Sequence, residues 1–305
     1  KEAKNLNDPT TTYTTPESYK EARSAPDALG WMNGCDTEIG KLRKLNCWTV
    51  VARRDIPANA LVMGSRWTFR YKFDELGNLL QQRSRIVCKG FTQQKDINYF
   101  ETFSPVVSFV TIRTLFALTS LPGFEVHQYD VSVAFIEAPI DPNSPPIYCE
   151  CAEGYEDRRL YVYQLHRYLY GMKDAPRGYN QLFAKLCRDQ GMKQLKSDEC
   201  VFLTTINNSK SDPLHEQPNL NSLAIAQTIP LEDRIHPDCP HRTAVLIVAS
   251  YVDDNLVYCN CPPMRKSFEQ SINKRIKMNS DGPVNWYLSV KYDRDPITGA
   301  VSANQ

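Results

Sequence analysis

The chain has 305 residues, 42% hydrophobic and 23% charged, with a formal net charge of +1. These values exclude a disordered polyelectrolyte, leave room for one large domain or two, and contain no apolar run long enough to span a bilayer, so no membrane partner is expected. The charge is uneven: Ile39 to Arg113 carry 13 Lys/Arg against 5 Asp/Glu. That excess suits a segment facing phosphate, although a solvated basic face is the commoner meaning of such a count. Ten cysteines occur without a C-x-x-C pair. They read as reduced core thiols of a cytosolic or nuclear protein. The chain opens on Lys1 and reads as a piece of something longer.

Residues 1–25 are polar and Thr-rich and predict a disordered lead-in. A helical pattern follows over Leu29–Leu45, with Trp31, Ile39 and Leu42 as core positions. Arg66 to Phe73 alternate between basic or polar residues and aromatic ones, the period of a half-buried strand. Asp74 to Asn78 make a turn, and the returning strand carries Arg83, Arg85 and Lys89 at one parity. Three cations on one strand face repel unless an anion sits opposite, and a nucleoside triphosphate or a nucleic-acid backbone would serve. Phe109–Leu121 reads as a buried helix ended by Pro122-Gly123. A strand, Phe124–Asp130, ends in an acid, and 145–151 is a further short strand. Ala175-Pro176 opens a helix with Tyr179, Leu182, Phe183 and Leu186 on one face.

The 40 residues from Thr204 to Thr243 hold five prolines and three of the five histidines. A loop that long is uncommon inside a compact domain, so 204–243 is expected to be an inserted surface loop. A metal held by His236, Cys239 and His241 is the lesser reading, since a single cysteine has no matching pair. Val245 to Tyr258 is an apolar run broken by Asp253-Asp254, a β-hairpin with paired acids at its tip. Pro262-Pro263 open a helix bearing Met264, Phe268, Ile272 and Ile276. Strands and helices alternate irregularly among hairpins, which predicts an α+β fold with an antiparallel sheet.

Asp130 and Asp253-Asp254 are the acidic sites. Were their strands neighbours, three carboxylates would converge at one sheet edge, an arrangement costly without divalent cations. Two Mg²⁺ ions about 4 Å apart would make it a phosphoryl-transfer site. The hard oxygen donors favour Mg²⁺ over softer metals. The bland alternative is a plain Asp-Asn turn.

From about Pro26 to its end the chain resembles the reverse transcriptase of copia-type LTR retrotransposons. The resemblance rests on collinear pieces. They are Trp31-Met-x6-Glu38-Ile-x2-Leu42-x3-Asn46-x-Trp48, Arg66-Trp67-x-Phe69, Arg83-x-Arg85-Ile-Val-x-Lys89-Gly90-Phe91-x-Gln93, Glu101-Thr-Phe-Ser-Pro-Val-Val107 and Thr111-Ile-Arg113. Further along come Gln128-x-Asp130-Val131-x2-Ala134-Phe135, Leu169-Tyr170-Gly171-Met-Lys173-x-Ala175-Pro176-Arg177 and Tyr251-Val-Asp-Asp254. It implies a right-hand polymerase: fingers and palm over 26–290, with helices on one face of an antiparallel palm sheet, and the start of a thumb over 291–305. It also implies template-directed addition of deoxynucleotides to a primer on RNA or DNA, with two Mg²⁺ or Mn²⁺ ions.

Carried over by residue, the resemblance implies Asp130, Asp253 and Asp254 as catalytic metal ligands, joined by the Val131 carbonyl. Arg83, Arg85, Lys89, Ala134, Phe135 and Asp174 would meet the incoming nucleotide, with Phe135 the ring that rejects a ribose 2′-hydroxyl. Lys173, Arg177 and Tyr251 would touch nucleic acid. RNase H and integrase modules of a parent polyprotein are implied partners, and cytoplasmic virus-like particles or the nucleus the implied location. The sequence departs from the family at Asp174, usually Gln; at Tyr179, usually Trp; and at Ala138, usually Gly. The long insert is a further departure. The alternative to an active polymerase is a drifted, non-catalytic nucleic-acid-binding remnant.

Overall fold

The structure, a computed structural model, describes residues 2–4, 12–74, 76–94, 97, 99, 101–121, 123–207, 243–288, 290–295 and 300–304. The expected insert falls outside the described residues from 208 to 242, together with His236, Cys239 and His241. Two compact units emerge: residues 1–103 with 135–178, and residues 104–134 with 179–305.

In the first unit, α1 (Ala28–Lys44) buries Trp31, Cys35, Ile39 and Leu42 on one stripe. The strands β1 (Ser65–Phe73) and β2 (Leu79–Cys88) form the antiparallel hairpin that the alternation predicts. Its inner face is aromatic, with Trp67, Phe69 and Tyr71 buried. The Trp31 ring meets Phe69 and Tyr71 edge-on, at 5.4 and 4.7 Å between centroids. Each such ring contributes about 1.5–3 kcal/mol by leaving water, which fixes the strand parity. The outer face leaves Arg66, Arg70 and Lys72 exposed. A separate four-stranded sheet orders Trp48–Ala52, Tyr161–Leu165, Ile147–Glu150 and Val62–Met63.

At the end of β2, the Cys88 N–H donates to the Tyr170 carbonyl (2.8 Å). The next residue, Gly171, has φ +87°, and a Cβ there would collide with the Cys88 carbonyl oxygen. Only glycine meets both demands. Within the polar stretch 1–25, Glu2–Lys4 and Thr12–Thr14 pair, and Tyr19–Ser24 form a helix capped by Ser18. That is more order than the Thr-rich composition predicts; the Ser18 cap and the buried Ala22 help supply it.

In the second unit, α2 (Phe109–Leu118) starts at Ser108, whose Oγ accepts the Thr111 N–H (3.1 Å). The strand β3 (Glu125–Val131) follows, and α3 (Ala175–Asp189) leads the chain back into this unit. The remaining elements are β4 (Lys193–Gln194), β5 (Val201–Asn207), β6 (Thr243–Tyr251), β7 (Asp254–Cys259), α4 (Pro262–Asn273) and β8 (Met278–Pro283). All six strands form one antiparallel sheet in the order β4-β5-β6-β7-β3-β8. One face packs Ile112, Leu115 and Phe116 with Val201, Ala249, Leu256 and Tyr258. Phe116 stacks on Tyr292 at 3.6 Å and meets Tyr258 edge-on at 5.7 Å. On the other face Phe183 of α3 meets Phe202 of β5 at 6.2 Å. α4 buries Met264, Phe268 and Ile272 as it packs along β6, β7 and β8. The molecule is α+β with an antiparallel sheet, and among the described residues no helix is long and apolar enough to cross a membrane.

Candidate active site

The two acidic strands are neighbours. β7 pairs with β3 in a register that sets Asp254 directly opposite Asp130, and the Val131 N–H donates to the Asp253 carbonyl (3.0 Å). The hairpin turn is Val252-Asp253, since Tyr251 pairs with Asp254. Asp253 is exposed at the tip, while Asp130 and Asp254 are half-buried on one sheet face. Tyr251, the cross-strand partner of Asp254, lies on that face too.

Burial raises the Asp254 carboxyl to about 6, and the negative charges of Asp253, Asp130 and Asp281 push the same way. Asp281 lies on β8 at the register shift between Ser280 and Gly282, two residues past Asn279, which stands opposite Asp130. Sequence reading missed this fourth acid because β8, Met-Asn-Ser-Asp-Gly-Pro, is built from residues that strands disfavour. Among the described residues no three His, Cys, Asp or Glu side chains are positioned as they stand to hold a metal ion. The carboxylates share an edge and repel through it, and they offer only hard oxygen donors.

The turn itself is strained. Val252 has φ +58°, and Val133, just past Asp130, has φ +64°. Both are β-branched residues in the left-handed region, which costs such side chains about 1–3 kcal/mol. A two-residue turn left-handed at its first central residue ordinarily takes glycine there. The Asn255 amide donates to the Asp253 carbonyl (3.0 Å), and the Ser250 hydroxyl donates to the Val252 carbonyl (3.4 Å), holding the turn from beneath.

The other sequence-predicted residues, apart from Ala134, lie in the first unit. Arg83, Arg85 and Lys89 are half-buried. The Arg85 guanidinium stands 4.5 Å from the Tyr170 ring centroid, and Phe135 meets the same ring edge-on at 6.1 Å. Tyr170 thus ties a predicted phosphate contact to the predicted sugar discriminator, a link that sequence spacing does not show. Ala134, buried, opens the short helix Ala134–Glu137. Gln93 joins the Lys173 region. Its Oε1 accepts the Lys173 N–H (2.6 Å), its carbonyl accepts the Lys173 Nζ (3.1 Å), and its Nε2 donates to Asp174 Oδ1 (3.1 Å). Lys173 Nζ also lies 5.0 Å from the Tyr99 ring centroid, and Arg177 pairs with Glu101 at 3.3 Å.

Asp174 is only 7% exposed. Its carbonyl accepts the Gly178 N–H (3.0 Å), so it stands at the N-cap of α3, a position that favours Asp. Burial raises its carboxyl above the ordinary range, and the Gln93 amide opposes the shift. The carboxylate is therefore turned inward to the Gln93 amide.

Residues 45–210 match the family described as "Reverse transcriptase (RNA-dependent DNA polymerase)". The chain belongs to this family. It is 27% identical over 282 residues to the "Retrovirus-related Pol polyprotein from transposon TNT 1-94" of Nicotiana tabacum, which covers 92% of this chain and 18% of that polyprotein. The corresponding polyproteins from transposons RE1 and RE2 of Arabidopsis thaliana are 26% and 25% identical, over 90% and 93% of this chain. The chain spans less than a fifth of each of these relatives, at 18%, 16% and 17% of their lengths. The copia-type resemblance read from the collinear motifs is thus shown.

Two outcomes follow from this geometry. Val252→Gly will be more stable to urea than Val252→Ala by about 1 kcal/mol, because only glycine is at ease at positive φ. The opposite order would mean that the turn is not left-handed there. Asp174→Asn keeps an oxygen for the Gln93 amide but removes a buried charge. Since the folded carboxyl titrates above its unfolded value, ionisation begins to oppose folding as pH rises past the unfolded value and does so fully above the folded one. Asp174→Asn will therefore unfold at higher urea than wild type at neutral pH, and the gap will close as pH falls through the carboxylate range. A gap that persists in acid would assign the effect to packing.

Proposed function

We propose that this chain is the polymerase portion of a copia-type reverse transcriptase, adding deoxynucleotides to a primer along an RNA or DNA template. The observation that carries the reading is the Asp130–Asp254 register beside the Asp253 tip, within a chain of the reverse transcriptase family. The second unit is the palm, the first unit the fingers, and residues 291–305 the start of a thumb.

Asp130, Asp253 and Asp254, with the Val131 carbonyl, would hold Mg²⁺ or Mn²⁺. The fit rests on the donor set: hard carboxylate oxygens, among which burial first and the neighbouring acids second already raise Asp254. When bound, such a cation supplies charge stabilisation at phosphorus and lowers the pKa of the attacking primer hydroxyl. The protein's own part is positioning. The pairing of β3 with β7 fixes two carboxylates on one face, and the strained Val252 presents the third at the tip. Arg85 and Lys89 offer charge to a triphosphate, with Arg85 steadied over Tyr170. Phe135, held against the same ring, rejects a 2′-hydroxyl by bulk. Lys173 and Arg177 contact nucleic acid from the first unit and Tyr251 from the second.

The departure at Asp174 does not oppose this reading, because its carboxylate is buried against Gln93 and does not present a free charge to phosphate. RNase H and integrase modules of a parent polyprotein are the expected companions. Primer extension on poly(rA) with oligo(dT), dTTP and Mg²⁺ tests the proposal. Incorporation is expected, with loss of about 100-fold or more in Asp253→Asn and in Asp130→Asn. Template binding without incorporation by the wild type would favour the non-catalytic remnant instead.

A further inference from the structure

Two buried polar residues sit beneath the acidic tip where the strand pattern calls for apolar ones. Ser250 of β6 stands directly opposite Asn255 of β7, and two residues further from the tip Val248 stands opposite Val257 on the same face. Both valines are fully buried, and so are the polar pair, Asn255 at 0% exposure and Ser250 at 4%. A buried amide or hydroxyl costs free energy unless its hydrogen bonds are made. Asn255 makes only part of its set: among the described residues its Oδ1 has no hydrogen-bond partner. Tyr179 of α3 meets the same side chain, since burial raises its hydroxyl and the Asn255 amide opposes the shift.

The bonds that the pair does make are directed at the turn. Asn255 Nδ2 donates to the Asp253 carbonyl (3.0 Å), which also accepts the Val131 N–H (3.0 Å). Ser250 Oγ donates to the Val252 carbonyl (3.4 Å). The Val252 and Asp253 carbonyls belong to the two peptide groups that flank Asp253, so both planes beside the exposed acid are anchored to buried side chains. Relaxing Val252 from its φ of +58° would change the type of turn, rotating those planes and the Asp253 carboxylate with them. Val131 adjoins Asp130, so the same Asp253 carbonyl also ties the tip to the strand bearing the first acid.

We propose that Asn255 and Ser250 are positioning residues for primer extension, acting through the backbone of Asp253 to hold its exposed carboxylate in one direction. Their part in the reaction rests on the polymerase reading. A pair kept for stability alone would be bettered by apolar side chains, whereas a pair kept for the turn trades stability for one backbone conformation, and substitution separates the two. In Asn255→Leu a side chain of similar size fills the site, the unpartnered Oδ1 is gone and the Asp253 carbonyl keeps the Val131 N–H. Folding is then not weakened, while the turn loses an anchor.

The test compares the whole chain as wild type, Asn255→Leu and Ser250→Ala in three measurements. They are the urea midpoint, the Asp253 amide order parameter by NMR relaxation without metal, and primer extension on poly(rA) with oligo(dT), dTTP and Mg²⁺. Asn255→Leu is expected to keep or raise the urea midpoint and to drop the Asp253 order parameter from about 0.85 to below about 0.6. Its kcat is expected to fall about tenfold or more, with the KM for dTTP within about twofold of wild type. Ser250→Ala, which removes the longer bond, is expected to move the order parameter and kcat the same way by less, and it decides alone should Asn255→Leu not fold. An order parameter that the substitutions leave unchanged overturns the proposal. So does a wild-type kcat in a variant whose tip has loosened, or a kcat loss that only follows a lowered urea midpoint. An inactive wild type would defeat the polymerase reading, while the order parameter still decides whether the pair holds Asp253.

Discussion

The repulsion among carboxylates at one edge of the six-stranded sheet organises the second unit's chemistry. Asp130 and Asp254 face each other across a ladder, Asp253 stands at the adjoining turn, and Asp281 adds its charge from the next strand. Strand pairing imposes this arrangement: the buried aromatic and aliphatic residues of β6, β7 and β3 fix the register, and a slip by one residue would send every side chain of the slipped strand to the other face and part Asp254 from Asp130. The hydrophobic core thus holds like charges together that would separate in solution. A strained turn adds to the cost, since Val252 and Val133 both occupy backbone conformations that suit glycine. Cost concentrated at one place, with neighbours that hold it there, is the pattern of a functional site.

The first unit solves a different problem. Its candidate contacts are cations and an aromatic ring, and what they need is rigidity. The end of β2 is joined to the Tyr170–Lys173 loop by a backbone hydrogen bond, by the close approach at Gly171 and by the Gln93 side chain. Tyr170 then orients Arg85 and Phe135 from one ring. Asp174, which as a bare substitution looks like a misplaced negative charge, is accounted for by its burial against the Gln93 amide.

Much of this was legible in the sequence where one periodicity dominates. The alternation of Arg66 to Phe73 gave the hairpin and its parity, and the four-residue spacing of Met264, Phe268 and Ile272 gave α4. The acids were visible as residues out of place in apolar strands, but their meeting was not, because register between β3 and β7 is a tertiary property. Strands such as Met278–Pro283 escaped notice since Asn, Ser, Asp, Gly and Pro carry no strand signal; the ladder with β3 makes that segment a strand. The inward turn of Asp174 was likewise hidden, because it depends on Gln93, some eighty positions earlier in the chain.

The central claim is that half-burial and mutual repulsion together raise the acids at the sheet edge, which is what would make them, as proposed above, a site for a divalent cation. Following the Asp254 carboxyl carbon by NMR across a pH titration, with and without Mg²⁺, tests it most directly. The account predicts a midpoint near 6 without the cation and one well below the ordinary carboxylate value with it. A midpoint in the ordinary range that Mg²⁺ leaves unmoved would contradict the account.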